Sequence, residues 1–107
     1  MPFIALKDIA QNELLPGFSV RFVHTERMTL AYWTIKAGAV LPEHAHPHEQ
    51  VAAQVMTGEF ELTLDGESKR LKKGDVAVIP SNMVHSGKAI TDCEMLDVFN
   101  PVREDYL

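Results

Sequence analysis

The stretch LPEHAHPHEQ, residues 41–50, holds three of the chain's five histidines and ends on a glutamate and a glutamine. In an extended segment alternate side chains share one face, so His44 and His46 project together. Their Cα atoms then lie about 6.5 Å apart, a reach at which two imidazoles can grip one ion. Gln50 has the same parity, but Pro47 interrupts the run, so alternation alone does not place it. A further ligand has to come from elsewhere in the chain. His85 is the candidate, following a strand-like VAVIP and a turn-like SNM. A solvated surface loop is the ordinary account of a single histidine. A paired H-x-H with a distant third imidazole points instead to a metal, and imidazoles suit zinc, iron, nickel, copper or manganese.

Around that stretch the sequence reads as short strands and turns. Glycine or proline recurs at Pro16-Gly17, Gly38, Pro42, Pro47, Gly58, Gly66, Gly74, Pro80 and Gly87, which leaves little room for a helix of ordinary length. Ser19–His24 and Met28–Lys36 are rich in β-branched and aromatic residues. In EFELTLDGESKRL, Phe60, Leu62 and Leu64 alternate with Glu59, Glu61 and Thr63, and Asp65-Gly66 then turns the chain back as a hairpin. VAVIP and CEMLDVF are further strands. Only Leu6–Leu15 has space for a helical turn or two. Trp33 and Tyr32 are neighbours in a strand, so one of them faces the core. Met56 and Met83 are expected in the core. Strands this short and this closely spaced predict an all-β sandwich or small barrel, with residues 1–107 as a single domain.

Composition excludes several functions. At 46% hydrophobic the chain can bury a core. A net charge of -5 with no basic run argues against nucleic acid or an anionic membrane as partner. No apolar run approaches the roughly 20 residues of a membrane span. The N-terminus lacks a signal-peptide pattern, and a lone Cys93 cannot form an internal disulfide. The expected location is therefore cytoplasmic.

The C-terminal strand carries a second signal. Cys93, Met95, Asp97 and Phe99 share one face, and Leu96 and Val98 share the other. An aspartate thus stands among apolar neighbours, where a carboxylate costs free energy unless it is paired or coordinated. Arg103 follows six residues later. A salt bridge to Asp97 that pins the tail is the plain account. The sharper one is a catalytic Asp97 of raised pKa beside the metal, with Arg103 holding a substrate carboxylate by a bidentate contact.

Gly38, His44, His46, Gln50 and Gly58 resemble the first motif of the cupins. Gly74, Pro80 and His85 resemble the second, with residues 59–73 between them. The resemblance implies a double-stranded β-helix, a jelly-roll barrel of six to eight strands, with one divalent transition metal (Ni, Zn, Mn or Fe) in its mouth. The ligands it implies are His44, His46, Gln50 and His85. His48 is then a neighbour rather than a ligand, and Glu49 points to solvent. The chain departs from the usual pattern at Gln50, where glutamate is common, at Asn82, where glycine is common, and at Ala89, where asparagine often follows. A neutral amide ligand leaves the ion its full charge, which suits Lewis-acid chemistry on an anion better than redox cycling.

HAHPHEQ, KKGDVAVIPSNMVH and LDVFNPVREDYL together are similar to the KdgF-type cupins of pectin and alginate breakdown. These convert ring-closed 4,5-unsaturated uronates to the linear 4-deoxy-5-hexosulose uronate. The resemblance implies a small anionic sugar as substrate, Asp97 and Arg103 as catalytic residues, and Gln54, Phe99 and Arg103 as substrate-binding residues. Rival expectations are a metal-dependent dioxygenase and a non-enzymatic metal or sugar binder. His24, Arg21 and Arg27 read as surface residues. The N-terminal PFIAL is expected to pair with a second subunit as a homodimer.

Overall fold

The computed structural model describes residues 3–107. Among the described residues, ten strands form two antiparallel sheets. They are β1 (Asn12–Leu15), β2 (Phe18–His24), β3 (Thr29–Ile35), β4 (Val40–His44), β5 (Glu49–Thr57), β6 (Glu59–Leu64), β7 (Glu67–Lys72), β8 (Val76–Ile79), β9 (His85–Ala89) and β10 (Cys93–Asn100). One sheet has the order β1-β2-β3-β10-β5-β8, the other β4-β9-β6-β7. This is the expected all-β jelly roll, with more strands than the six to eight anticipated. Part of the surplus has a local cause. Asn12–Leu15, where a helical turn had room, extends and pairs with β2, and only Leu6–Asp8 before it forms a 3-10 turn. No helix among the described residues is long and apolar enough to cross a membrane.

Alternation decides what lies between the sheets. On β10 the inward set is Cys93, Met95 and Phe99, each at most 5% exposed. Phe60 and Leu62 answer Cys93 and Met95 from β6, in a cluster shared with Phe18, Ile35, Val55, Leu71, Ile79 and Ala89. Each such side chain contributes roughly 1.5–3 kcal/mol by leaving water. A smaller cluster of Val20, Ala31 and Phe99, flanked by Phe22 and Trp33, lies beside the site described below.

Tight turns set the registers. Asp65 and Gly66 have φ of 46° and 84°, both left-handed, as a two-residue type I′ hairpin demands. Gly58 (φ 84°) turns the chain between the sheets so close to the Asp92 carbonyl that a Cβ there would collide with it. Pro2 of the N-terminal PFIAL lies outside the described residues. Phe3–Ala5 form no strand within the single chain and are exposed. Met56, expected in the core, is 44% exposed on the outer side of β5.

Candidate functional site

His44 ends β4 and His85 begins β9, directly opposite each other in the ladder. Their ring centroids are 4.1 Å apart. His46, two residues past His44, brings its ring to 5.6 Å from His44 and 4.8 Å from His85. The second motif is tied to the first by the Asn82 N–H, which donates to the His46 carbonyl at 2.7 Å. Asn82 has φ 64°, a left-handed conformation that asparagine tolerates almost alone among non-glycine residues. Its presence where cupins often carry glycine is thereby explained.

The triad fits a cation. One ring nitrogen from each histidine lies within 4.8 Å of the others. Every Nδ1 is already held by a main-chain carbonyl: Pro42 for His44 at 2.9 Å, His48 for His46 at 2.8 Å, Met83 for His85 at 2.9 Å. That fixes the tautomer and leaves three Nε2 acceptors free, as a metal site needs. Ligands at about 2.1 Å from one ion are about 3 Å apart, so the nitrogens stand somewhat wider than a bound ion would hold them. Burial lowers the pKa of His46 and His85, so both are neutral at neutral pH and ready to ligate. Gln50, 5% exposed, lines the same cavity. His48 stays outside this group and supplies its carbonyl.

The triad opens on a cavity of about 550 Å³. Asp97, Phe99 and Arg103 form part of its wall, and Phe18, Ile35, Phe60, Leu62 and Met95 make much of the rest apolar. Burial pushes the Asp97 carboxyl up to about 7, against the opposing pull of Trp33, Gln50 and Arg103. The Trp33 indole and the Gln50 amide favour the carboxylate without reaching it. Asp97 Oδ1 and Trp33 Nε1 are both buried with no hydrogen-bond partner. Two orphaned polar atoms facing one cavity are costly in a folded protein, and a ligand that pairs with both would remove the cost.

Arg103 is held on every side. Its Nε and Nη2 donate to Asp105 Oδ1 and Oδ2 at 3.0 and 2.8 Å. The guanidinium carbon lies 4.7 Å from the Phe99 ring centroid and 4.2 Å from that of Tyr106. Its backbone N–H donates to Thr29 Oγ1 at 2.8 Å, and that hydroxyl also meets His24 Nδ1 at 2.9 Å. The salt bridge from Arg103 to Asp97 is therefore replaced by one to Asp105. Asp105 is two residues away and turned alongside by the final 3-10 turn, Glu104–Tyr106.

Five residues of the site escaped the sequence reading, Asp105 and Tyr106 beside Arg103 among them. Trp33 was one of a pair with undecided sides, and it proves to line the cavity. Thr29 and His24 carried no signal, since Thr29 meets its partner across 74 positions. Gln54 is not brought into the cavity. On β5, Gln50 stands opposite Phe99 but Ala52 stands opposite Val98, so Val51 is an extra, bulged residue. After the bulge the inward positions are Ala53 and Val55, and Gln54 falls on the outer face.

The family profile described as Cupin domain matches residues 31–99. The chain is a cupin. Over 72 residues this cupin is 36% identical to the pectin degradation protein KdgF of Dickeya dadantii (strain 3937). That match takes in 65% of the chain and 64% of the relative, so it spans just under two thirds of the relative's length. The structure of KdgF from a Halomonas species superposes with a TM-score of 0.93 at 31% identity, covering 100% of this cupin and 99% of that chain. A shorter stretch, 49 residues at 43% identity, matches quercetin 2,3-dioxygenase of Bacillus subtilis (strain 168) over 46% of this chain and 14% of that protein. The likeness to KdgF-type cupins runs through the whole fold.

Proposed function

We propose that this cupin linearises 4,5-unsaturated uronates, opening the sugar ring and tautomerising the product to the 5-keto acid. The observation that carries the reading is the pairing of an unpartnered, near-neutral carboxyl at Asp97 with a fixed guanidinium at Arg103, both facing the histidine triad across one cavity. The similarity to KdgF, named for pectin degradation in Dickeya, supports the same substrate class.

His44, His46 and His85, with Gln50, would hold one divalent metal. When bound it supplies Lewis acidity toward the substrate's oxygens. The remaining work falls to the chain. Arg103 binds the substrate carboxylate through its free edge, its other edge being fixed by Asp105. Phe99 and Tyr106 flank the guanidinium and keep water from that side. Asp97 takes the proton from the C1 hydroxyl as the bond between C1 and the ring oxygen breaks. The aldehyde forms at C1 and the enolate at C5, and Asp97 returning that proton to C4 gives the ketone. The net change is an isomerisation and requires no redox cofactor. A carboxyl near neutrality can both accept and return a proton, the condition for efficient general acid–base catalysis.

The test is the loss of absorbance of the conjugated double bond when metal-loaded protein meets unsaturated galacturonate. Binding of the sugar with no absorbance change overturns the enzymatic reading in favour of a binder. A second reading draws on the apolar part of the cavity wall, Phe18, Ile35, Phe60, Leu62 and Met95, which suits a flavonol-like aromatic. Oxygen uptake with such a compound and the iron-loaded protein decides for a dioxygenase.

A further inference from the structure

Strand register lays one row of side chains from β2 to the cavity. His24 of β2 stands opposite Thr29 of β3, Thr29 opposite Phe99 of β10, and Phe99 opposite Gln50 of β5. Residues directly opposite in a ladder share a face, and Phe99 is an inward residue of its strand, so the whole row projects inward. Phe99 and Gln50 line the cavity, whereas His24 and Thr29 do not. Thr29 is 0% exposed, and a hydroxyl so buried is costly unless it is bonded. Its Oγ1 accepts the Arg103 backbone N–H at 2.8 Å and meets His24 Nδ1 at 2.9 Å. Among the described residues, every other hydrogen bond of residues 101–107 closes within that segment. The segment carries Arg103, Asp105 and Tyr106, all on the cavity wall. One hydroxyl therefore ties that part of the wall to the sheet.

We infer that Thr29, oriented by His24, is a positioning residue for Arg103: the pair sets where the guanidinium meets the substrate carboxylate, without touching the substrate. The inference rests on the proposed function, which gives Arg103 that carboxylate. A hydroxyl has one hydrogen and two lone pairs. The arrangement that serves every atom has His24 in its Nε2–H tautomer. Thr29 then donates its hydrogen to Nδ1 and keeps a lone pair for the Arg103 N–H. His24 thus fixes the hydroxyl rotor, and the rotor fixes the main chain at Arg103. Phe22 braces the same segment. Its ring stacks on His24 with centroids 5.5 Å apart and on Tyr106 with centroids 4.6 Å apart. Tyr106 in turn packs on the guanidinium at 4.2 Å. Phe22 also lies off the cavity wall. These three residues act on a ligand only through the segment they hold. A misplacement of about 1 Å in a positioning group can cost about 10²-fold in rate, even when its cause lies far from the chemistry.

Thr29→Val keeps the branched shape and removes the hydroxyl. With metal-loaded protein and unsaturated galacturonate, its KM should rise by about tenfold or more while kcat stays within about threefold, because lost ground-state binding shows in KM. Thr29→Ser returns the hydroxyl and should bring KM back to within about twofold of wild type. His24→Phe keeps a ring on Phe22 and removes Nδ1, and its KM should rise by about threefold or more. Should Thr29→Val fail to fold, His24→Phe carries the comparison. Hydrogen exchange in metal-free protein is the second readout. The Arg103 backbone amide should exchange about tenfold faster in Thr29→Val than in wild type, and near the wild-type rate in Thr29→Ser. A threonine that only supports the fold would lower the melting temperature of Thr29→Val and leave KM where it was, which overturns the inference. A fall in kcat at unchanged KM overturns it as well. If the wild-type protein turns over nothing, the proposed function fails by itself. The anchor is then judged by exchange alone, and unchanged protection of the Arg103 amide in Thr29→Val overturns it.

Discussion

The two walls of the cavity are built on opposite principles. On the β4–β9 side every polar atom of the histidine triad that does not face the cavity is satisfied: each Nδ1 has its carbonyl. On the β3–β10 side the fold leaves Asp97 Oδ1 and Trp33 Nε1 buried and unpaired. The first wall is complete without a substrate and needs only a cation. The second leaves polar groups unpaired, and under the proposed function the substrate would pair with them. A satisfied cluster orients its ligands, whereas an unsatisfied one concentrates binding energy on the group that arrives.

The largest effect should come from the satisfied wall. His85→Ala removes one of three imidazoles and the cross-strand partner of His44. Loss of even an outer-shell partner typically costs 10–100-fold in metal affinity, so loss of a ligand should exceed about 10²-fold and abolish turnover with it. Calorimetric titration with nickel or zinc reads this directly. Wild-type affinity in the variant would remove the triad from the metal's coordination and with it the contrast between the walls.

Asp97→Asn probes the other wall in two directions. Turnover should fall by about 10²–10⁴-fold with metal affinity unchanged. Stability should rise. The native carboxyl, raised to about 7 by burial, holds its proton between about pH 4 and 7, where the unfolded chain has released it. Wild-type stability therefore falls as pH rises through that window, and the asparagine variant is spared the fall. In chelated protein the variant should gain on the order of 1–3 kcal/mol near pH 8 and little near pH 4. Urea midpoints at the two pH values decide it. A variant less stable than wild type at high pH would mean that Asp97 is satisfied after all.

The difference between the walls also explains what the sequence could disclose. The triad was legible because its residues sit in one short stretch and beside one turn, where alternation and proline placement act locally. The inward side of Asp97 was legible for the same reason, since period-2 alternation runs unbroken along β10. The partners of Arg103 were not. Its link to Thr29 joins residues 74 positions apart in the chain, and its guanidinium partner depended on a 3-10 turn that no glycine or capping residue announces. Trp33 had the right parity, but nothing in the sequence says that its N–H finds no acceptor.

Asp105→Asn is a milder intervention. It keeps the size of the side chain and removes the charge that grips Arg103. Bonds to charged groups are worth roughly 1.5–3 kcal/mol when buried, and Asp105 is half exposed, which screens the pair. The expected result is a KM raised by about tenfold or less with kcat nearly unchanged, because Phe99, Tyr106 and Thr29 still hold the arginine in place. Restoration by Asp105→Glu would mark the role as positioning. An equal loss in kcat would place Asp105 in the chemistry instead.

The smallest effect tests the bulge. Unbroken alternation from Gln50 puts Gln54 in the cavity, and the resemblance assigned it to substrate. The extra residue at Val51 turns it outward, opposite Leu96 on the outer face. Gln54→Ala should therefore leave KM and kcat within about twofold of wild type, as expected of a surface substitution. Ala53→Gln, which places an amide at the inward position, should instead obstruct the cavity between Asp97 and Ala77 and reduce turnover sharply. If Gln54→Ala proves as damaging as Asp97→Asn, the register of β5 is wrong by one residue, and the wall opposite the triad has a polar partner that the present geometry denies it.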